Sequence, residues 1–171
     1  QLILGSTATR LAQELAQPLL VVRRRTRGRY ARIVVANDFG DAARRALSTA
    51  VGLFPAHRIT LMHVLEDSAR GIAEASRGAV HSAFEKSERF LDQCALPAGA
   101  HARIDIVIGH GNVAEAVSRH VEATGTQLVV LGVHPRSALA RVFVGSISDE
   151  LLRRLPCDTL LVRATEGGAY A

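Results

Sequence analysis

At 171 residues the chain has room for one ordinary domain plus an extension, and a 48% hydrophobic share with 22% charged residues suffices for a real core. Aromatics at 4% leave few rings for stacking single-stranded nucleic acid, and no run is long enough to span a membrane. The net charge of +5 is concentrated in Arg23, Arg24, Arg25, Arg27 and Arg29, which lack aromatic interleaving and read as a solvated linker rather than a specific nucleic-acid patch.

The first residues show no signal peptide, because Gln1 to Leu4 is too short and no cleavage pattern follows. The chain opens on Gln1 rather than methionine, and the expectation is a start further upstream. An internal repeat is visible: Gly5 to Arg23 lies on Gly145 to Arg163 without a gap. Gly5 and Ser6 match Gly145 and Ser146. Leu11, Leu15, Leu20, Val22 and Arg23 match Leu151, Leu155, Leu160, Val162 and Arg163. Both copies read as Gly-Ser, an amphipathic helix, a break and a strand. Residues 1–25 therefore read as the tail of a preceding, truncated unit. Residues 26–30 are a basic linker, 31–165 a complete unit and 166–171 a tail.

The complete unit begins with a buried strand, Arg32 to Ala36, and a turn, Asn37 to Asp41. Asp41 or a neighbour is expected to cap a helix that buries Ala43, Ala46, Leu47, Ala50 and Phe54 and ends at Pro55. Ile59 to Leu65 is the second strand. Ser68 to about Cys94 is a long helix with Ile72, Ala75, Val80, Ala83, Phe84 and Leu91 at helical spacing. Ile104 to Ile108 is the third strand, broken by Gly109 and Gly111, with His110 as a turn residue. Asn112 and Glu115 form a capping-box pattern for a helix through Val121. The fourth strand is Leu128 to Leu131, stopping at Gly132. A helix starts near Ser146 with Ile147, Leu151, Leu152 and Leu155 on one face, and Thr159 to Arg163 is the fifth strand. Cys94 and Cys157 are far apart without metal-ligand neighbours, as in a cytosolic chain with free thiols.

Strands alternating with helices predict an α/β fold, a doubly wound five-stranded parallel sheet with an extra N-terminal αβ segment. In the order 3-2-1-4-5 a ligand would sit at the carboxyl ends of the first and fourth strands, with Asp38 and Gly132 across the crevice. The final strand would then be an edge. Its Leu160, Leu161 and Val162 carry no proline, and it is expected to pair with Leu19 to Arg23 of this chain or a neighbour.

The stretch after the fourth strand reads G-x-x-P from Gly132 to Pro135, nine residues, then Gly145-Ser146. It resembles the nucleotide loop of the universal stress protein family, G-x-x-G, nine residues, then G-S or G-T, with Pro135 at the second glycine. Glycine lets backbone come close to a phosphate, and a helix start favours an anion; proline offers no amide hydrogen. R-I-V-V-A-N-D-F-G is similar to the family's first strand and V-D-x-S turn, and L-M-H-V to its second-strand L-H-V. The resemblance covers Tyr30 to Ala164, with the chain looking like the C-terminal part of a tandem two-domain member.

The resemblance implies an adenine nucleotide alpha hydrolase-like fold in a cytoplasmic stress-response protein. It implies a homodimer or pseudo-dimer through the last strand, and ATP or AMP binding in some members. Carried over by position, Asp38 would hold the ribose hydroxyls and Val64 would meet adenine through its backbone. Gly132 would approach the ribose and phosphates. Gly145, Ser146 and Ile147 would bind phosphate through amides and the Ser146 hydroxyl. His134 and Arg136 either reach a phosphate or are solvated loop charges. Asp38 could equally cap the first helix, and His63 reads as a satisfied strand histidine. Mg²⁺ could join a triphosphate at Asp38.

Three functions follow. The first is a regulatory nucleotide-binding protein acting on an unidentified protein partner. The second is a nucleotide-free dimeric scaffold. The third is a slow ATPase or phosphotransferase. No general base, P-loop or metal cluster stands out, so the reading leans away from an enzyme.

Overall fold

The structure is a computed structural model that describes residues 17–23, 28–66, 77–133 and 146–164. Its strands are β1 (Leu19–Val21), β2 (Ile33–Ala36), β3 (Ile59–Leu65), β4 (Ile104–His110), β5 (Leu128–Val133) and β6 (Asp158–Arg163). Its helices are α1 (Asp41–Leu53), α2 (Arg77–Asp92), α3 (Val113–Thr124) and α4 (Ser146–Arg154). All strands join one sheet in the order β1-β6-β5-β2-β3-β4. The five strands from β2 to β6 are parallel and hold the predicted order 3-2-1-4-5. The sheet as a whole is mixed and six-stranded, because β1 pairs antiparallel with β6. The final strand is therefore not the edge that five strands alone would make it.

Strand alternation divides the interior in two. Ile33, Val35, Ile59, Leu61, Leu128, Val130, Leu160 and Val162 pack with α1 and α2. Val34, Met62, Val64, Val129, Leu131, Val133 and Leu161 pack with α3 and α4 on the other face. A parallel sheet covered on both faces has no polar side, and this explains the unbroken apolar runs. Alanines at 42, 43, 46 and 50 are buried and let α1 sit close to the sheet.

Several local expectations change. β5 runs through Gly132 to Val133, and β4 runs through Gly109 to His110, so His110 ends a strand rather than making the turn. Gly109 is a packing residue: a Cβ there would lie 2.9 Å from the Met62 Cε. Phe84 is 39% exposed, and Phe90 takes the core position beneath α2. α1 has Gly40 at its N-cap without a side-chain cap, so Asp41 does not cap it. The Asn112 side chain does cap α3, accepting from the Glu115 N–H at 3.0 Å. The expected start of the long helix, 68–76, and the helical part of the first repeat copy up to residue 16 lie outside the described residues. Cys94 and Cys157 are buried and not in a disulfide. No helix among the described residues is long and apolar enough to cross a membrane.

Candidate functional site

β2 and β5 are adjacent, with Val35 beside Val130. The connection from β2 leads away to β3, and that from β5 leads the opposite way to β6. The sheet's switch point thus falls between them, and in such sheets a crevice opens at the carboxyl ends of these two strands. The Asn37–Gly40 turn and the end of β5 lie there. α4 runs back from the β5 end of the sheet toward the start of β6. Its amino end therefore lies at the same end of the sheet, with its positive dipole.

Asn37 is the hub of the turn, and it is 6% exposed. Its N–H donates to the Met62 carbonyl at 2.8 Å. Its own carbonyl accepts from His63 Nδ1 at 2.8 Å, so that nitrogen carries the proton. Its Oδ1 accepts the Phe39 N–H at 2.9 Å. The next carboxylate repeats the pattern, with Asp38 Oδ1 accepting the Gly40 N–H at 2.8 Å. Two successive side-chain-to-backbone bonds of this kind bend the chain sharply out of β2. Asp38 is left exposed at the carboxyl end of the sheet, just before α1. Its bond to the Gly40 N–H braces the turn at the N-cap of α1.

The turn forces Phe39 into a left-handed conformation with φ 66°, the one positive φ at a non-glycine among the described residues. Such a conformation costs about 1–3 kcal/mol and persists where the surroundings enforce it. Here the Phe39 ring lies 4.3 Å from the His63 ring and 5.9 Å from that of Phe90, and Lys86 Nζ is 4.2 Å from its centroid. The contacts anchor the ring, and the ring holds the bend that presents Asp38.

Val64 reaches the crevice through its backbone. Met62 turns its carbonyl to β2, and the pairing of β3 with β2 ends at Ala36 and Met62. By the two-residue alternation of a strand, the Val64 N–H and C=O face the same way, past the end of β2. Its side chain is buried in the α3/α4 core.

Gly132 has a packing reason of its own. A Cβ there would lie 2.4 Å from the Ala42 carbon and oxygen and 2.8 Å from the Ala43 nitrogen. Only glycine lets the first turn of α1 seat against β5, and this sets how closely the Asp38 turn approaches the fourth parallel strand. Ser146 opens α4, as expected. Ile147 is 44% exposed in the first turn. Asp149, also in that turn, has its carboxyl pushed above the usual range by burial, against the lowering effect of Arg153. His134, Pro135, Arg136 and Gly145 lie outside the described residues.

The structure therefore brings together the backbone around Asp38 and Val64, the end of β5 at Gly132, and the start of α4 at one end of the sheet. The sequence reading did not single out Asn37, Phe39 or Lys86 as a unit. The Asn-Asp pair directly after a strand was the available signal for the turn, and Lys86 carried none. Among the described residues no cluster of three or more His, Cys, Asp or Glu could hold a metal. Cys94 is remote on the α1/α2 face, and burial raises its thiol pKa despite Arg44 nearby, which makes it a poor nucleophile. Among the described residues this end of the sheet offers backbone groups and one exposed carboxylate, Asp38.

Residues 29–163 match the family model described as the universal stress protein family. A universal stress protein of Thermus aquaticus is 28% identical over 134 residues, covering 77% of this chain and 97% of that protein. A universal stress protein structure from Archaeoglobus fulgidus superposes with a TM-score of 0.64 at 19% identity, over 94% of this chain and 55% of its own. A universal stress protein solved in complex with cAMP gives a TM-score of 0.56 at 16% identity, over 80% of this chain and 99% of its own.

Proposed function

The chain belongs to the universal stress protein family, and on that premise we propose that it is a regulatory protein of the stress response whose occupancy by adenine nucleotide controls association with a protein partner. The observation that carries this reading is the switch-point turn, in which Asp38 is held outward while the Val64 backbone faces past the end of β2. Asp38 would hold the ribose hydroxyls and the Val64 backbone the adenine edge. The phosphates would lie toward Gly132, with Gly145, Ser146 and Ile147 at the start of α4, and His134 and Arg136 supplying charge. The cAMP complex of a structural neighbour supports a nucleotide of this class. These residues fit a nucleotide by chemistry, with a carboxylate for hydroxyl donors and amides for phosphate oxygens. Any Mg²⁺ would come with a triphosphate and rest on Asp38.

A second reading, a scaffold of the same fold without nucleotide, is favoured by two observations. Gly132 is explained by α1 packing and Asp38 by its bond to Gly40, neither needing a ligand. Calorimetry with ATP, ADP, AMP and cAMP separates the two. Binding should appear, and Asp38→Asn should weaken it about 10–100-fold, the worth of a hydrogen bond to a charged group. The Asn37–Gly40 turn survives that change, because asparagine keeps an oxygen for the Gly40 amide. No heat with any nucleotide would leave the scaffold.

A further inference from the structure

We propose that β4 is, independently of any nucleotide, a docking edge for an extended segment of a partner protein, one with apolar side chains at alternate positions and acidic residues at both ends. β4 is the strand at the end of the sheet away from β1 and β6. Just past it the Gly111 N–H donates to the Leu65 carbonyl at 2.9 Å, so residues 105, 107, 109 and 111 turn their N–H and C=O groups to β3. Ile104, Ile106, Ile108 and His110 therefore turn theirs outward. Two of these groups are taken. The Ile104 N–H donates to the His101 carbonyl, and the His110 carbonyl accepts from Arg119 Nη2 at 3.1 Å. The Ile104 carbonyl, both groups of Ile106 and of Ile108, and the His110 N–H have no hydrogen-bond partner among the described residues. A row of donors and acceptors at strand spacing is met best by another extended backbone.

The edge is long and lacks the usual guards. β4 has seven residues, with Ile104, Ile106, Val107 and Ile108 β-branched and neither proline nor lysine among them. Its one carboxylate, Asp105, is engaged by Arg58 at 2.6 and 3.1 Å. Ile104, Ile106 and Ile108 share the sheet face of Ile59 and Leu61, beneath α2, and all three are only half-buried. Lys86 and Phe90 meet Phe39 on the α1 side of α2, so the helix period puts Phe84 on the opposite flank, toward β4. Its side chain is 39% exposed and stands at the margin of the sheet beside the isoleucine row. Both ends of this apolar ledge are positive. Arg103 at its start donates to the His57 carbonyl at 3.4 Å, and Arg119 at its finish to the His110 carbonyl. Neither meets a carboxylate among the described residues. Charge therefore selects an acidic segment over a second copy, because antiparallel pairing of β4 with itself would bring Arg103 of one chain toward Arg119 of the other.

The test uses the full chain and a fluorescent peptide in which isoleucine and threonine alternate between glutamates at both ends. Anisotropy at low salt should show saturable binding, and hydrogen exchange should slow at the Ile106 and Ile108 amides. Replacing the glutamates by lysines should weaken binding by about tenfold, the effect of two exposed ion pairs. Methylating the peptide's backbone nitrogens should abolish binding, and it leaves the protein unaltered. Ile106→Pro removes an outward N–H and no bond to β3, and it should weaken binding by at least about tenfold, with circular dichroism to check its fold. Full binding by the methylated peptide or by a folded Ile106→Pro chain, equal binding of the lysine peptide, or no saturation up to about 1 mM peptide would overturn the proposal. So would light scattering in which the chain alone forms a dimer that Ile106→Pro dissolves, since β4 would then belong to a second copy. If Ile106→Pro does not fold, the methylated peptide and exchange at Ile106 and Ile108 decide, and unslowed exchange overturns it.

Discussion

Replacing Gly132 by alanine tests whether that glycine serves the fold before it serves a ligand. The added methyl would sit 2.4 Å from the Ala42 carbon and oxygen and 2.8 Å from the Ala43 nitrogen. Carbon contacts relax at about 3.5 Å, so the start of α1 must retreat by about 1 Å. The obstacle is backbone, which has no rotamer to change. Ala42, Ala43, Ala46 and Leu47 are all buried, and a retreating helix loosens each of them. Overpacking costs about 1–3 kcal/mol, and this site belongs at the upper end. In a domain of this size about 3 kcal/mol lowers Tm by about 6–12 °C. Thermal melting followed by circular dichroism, with urea unfolding at fixed temperature, reads the loss. A variant melting within about 2 °C of the parent, the shift expected for about 0.5–1 kcal/mol, would refute the packing argument. It would show that α1 has room at β5 and that the glycine answers to a ligand instead.

Phe39→Ala keeps an L-residue in the left-handed region and loses the His63 and Lys86 contacts, whereas Phe39→Gly loses the contacts but relieves the strain. The alanine variant should be the less stable by about 1 kcal/mol, and equal melting would mean that the bend carries no strain. Asn112→Ala removes the α3 cap and should cost about 1 kcal/mol by urea unfolding, with Asn112→Asp close to the parent. Burial holds the His120 imidazole below its ordinary 6.5. The unfolded chain therefore takes up the proton first. Stability present above that value should fall as pH drops through it toward the lower folded value, then level off, and His120→Gln should flatten this part of a pH–stability curve.

Periodicity alone determined the elements. Apolar runs at 33–36, 59–65 and 128–131 mark strands buried on both faces, and alanines at helical spacing mark α1, because these signals depend only on which residues recur at two or three to four positions. Ile59–Leu65 emerged with the expected bounds, and Asn112 capped as its spacing to Glu115 implied. The parallel order followed from alternation, since right-handed crossovers leave few other windings. Ends were less legible. Gly132 and Gly109 look like breaks, yet each sits inside a strand because a neighbour fills its Cβ position, and that neighbour is far away in sequence. The same holds for Phe84 and Phe90, ten and four residues before Cys94. Only the tilt of α2 on the sheet decides which ring is covered. The candidate site divides along the same line. Asp38 and Gly132 were visible as residues after strands. The buried Asn37 hub, the strained Phe39 and Lys86 above it depend on three separate segments meeting. The repeat announced a strand at residues 19–23 and its pairing with the last strand of this chain or a neighbour, but the register between residues about 140 apart is not encoded in local pattern. The tertiary structure decided it, through the buried Asp158 carboxylate that accepts the Arg23 N–H and the pairing of Leu20 with Leu160.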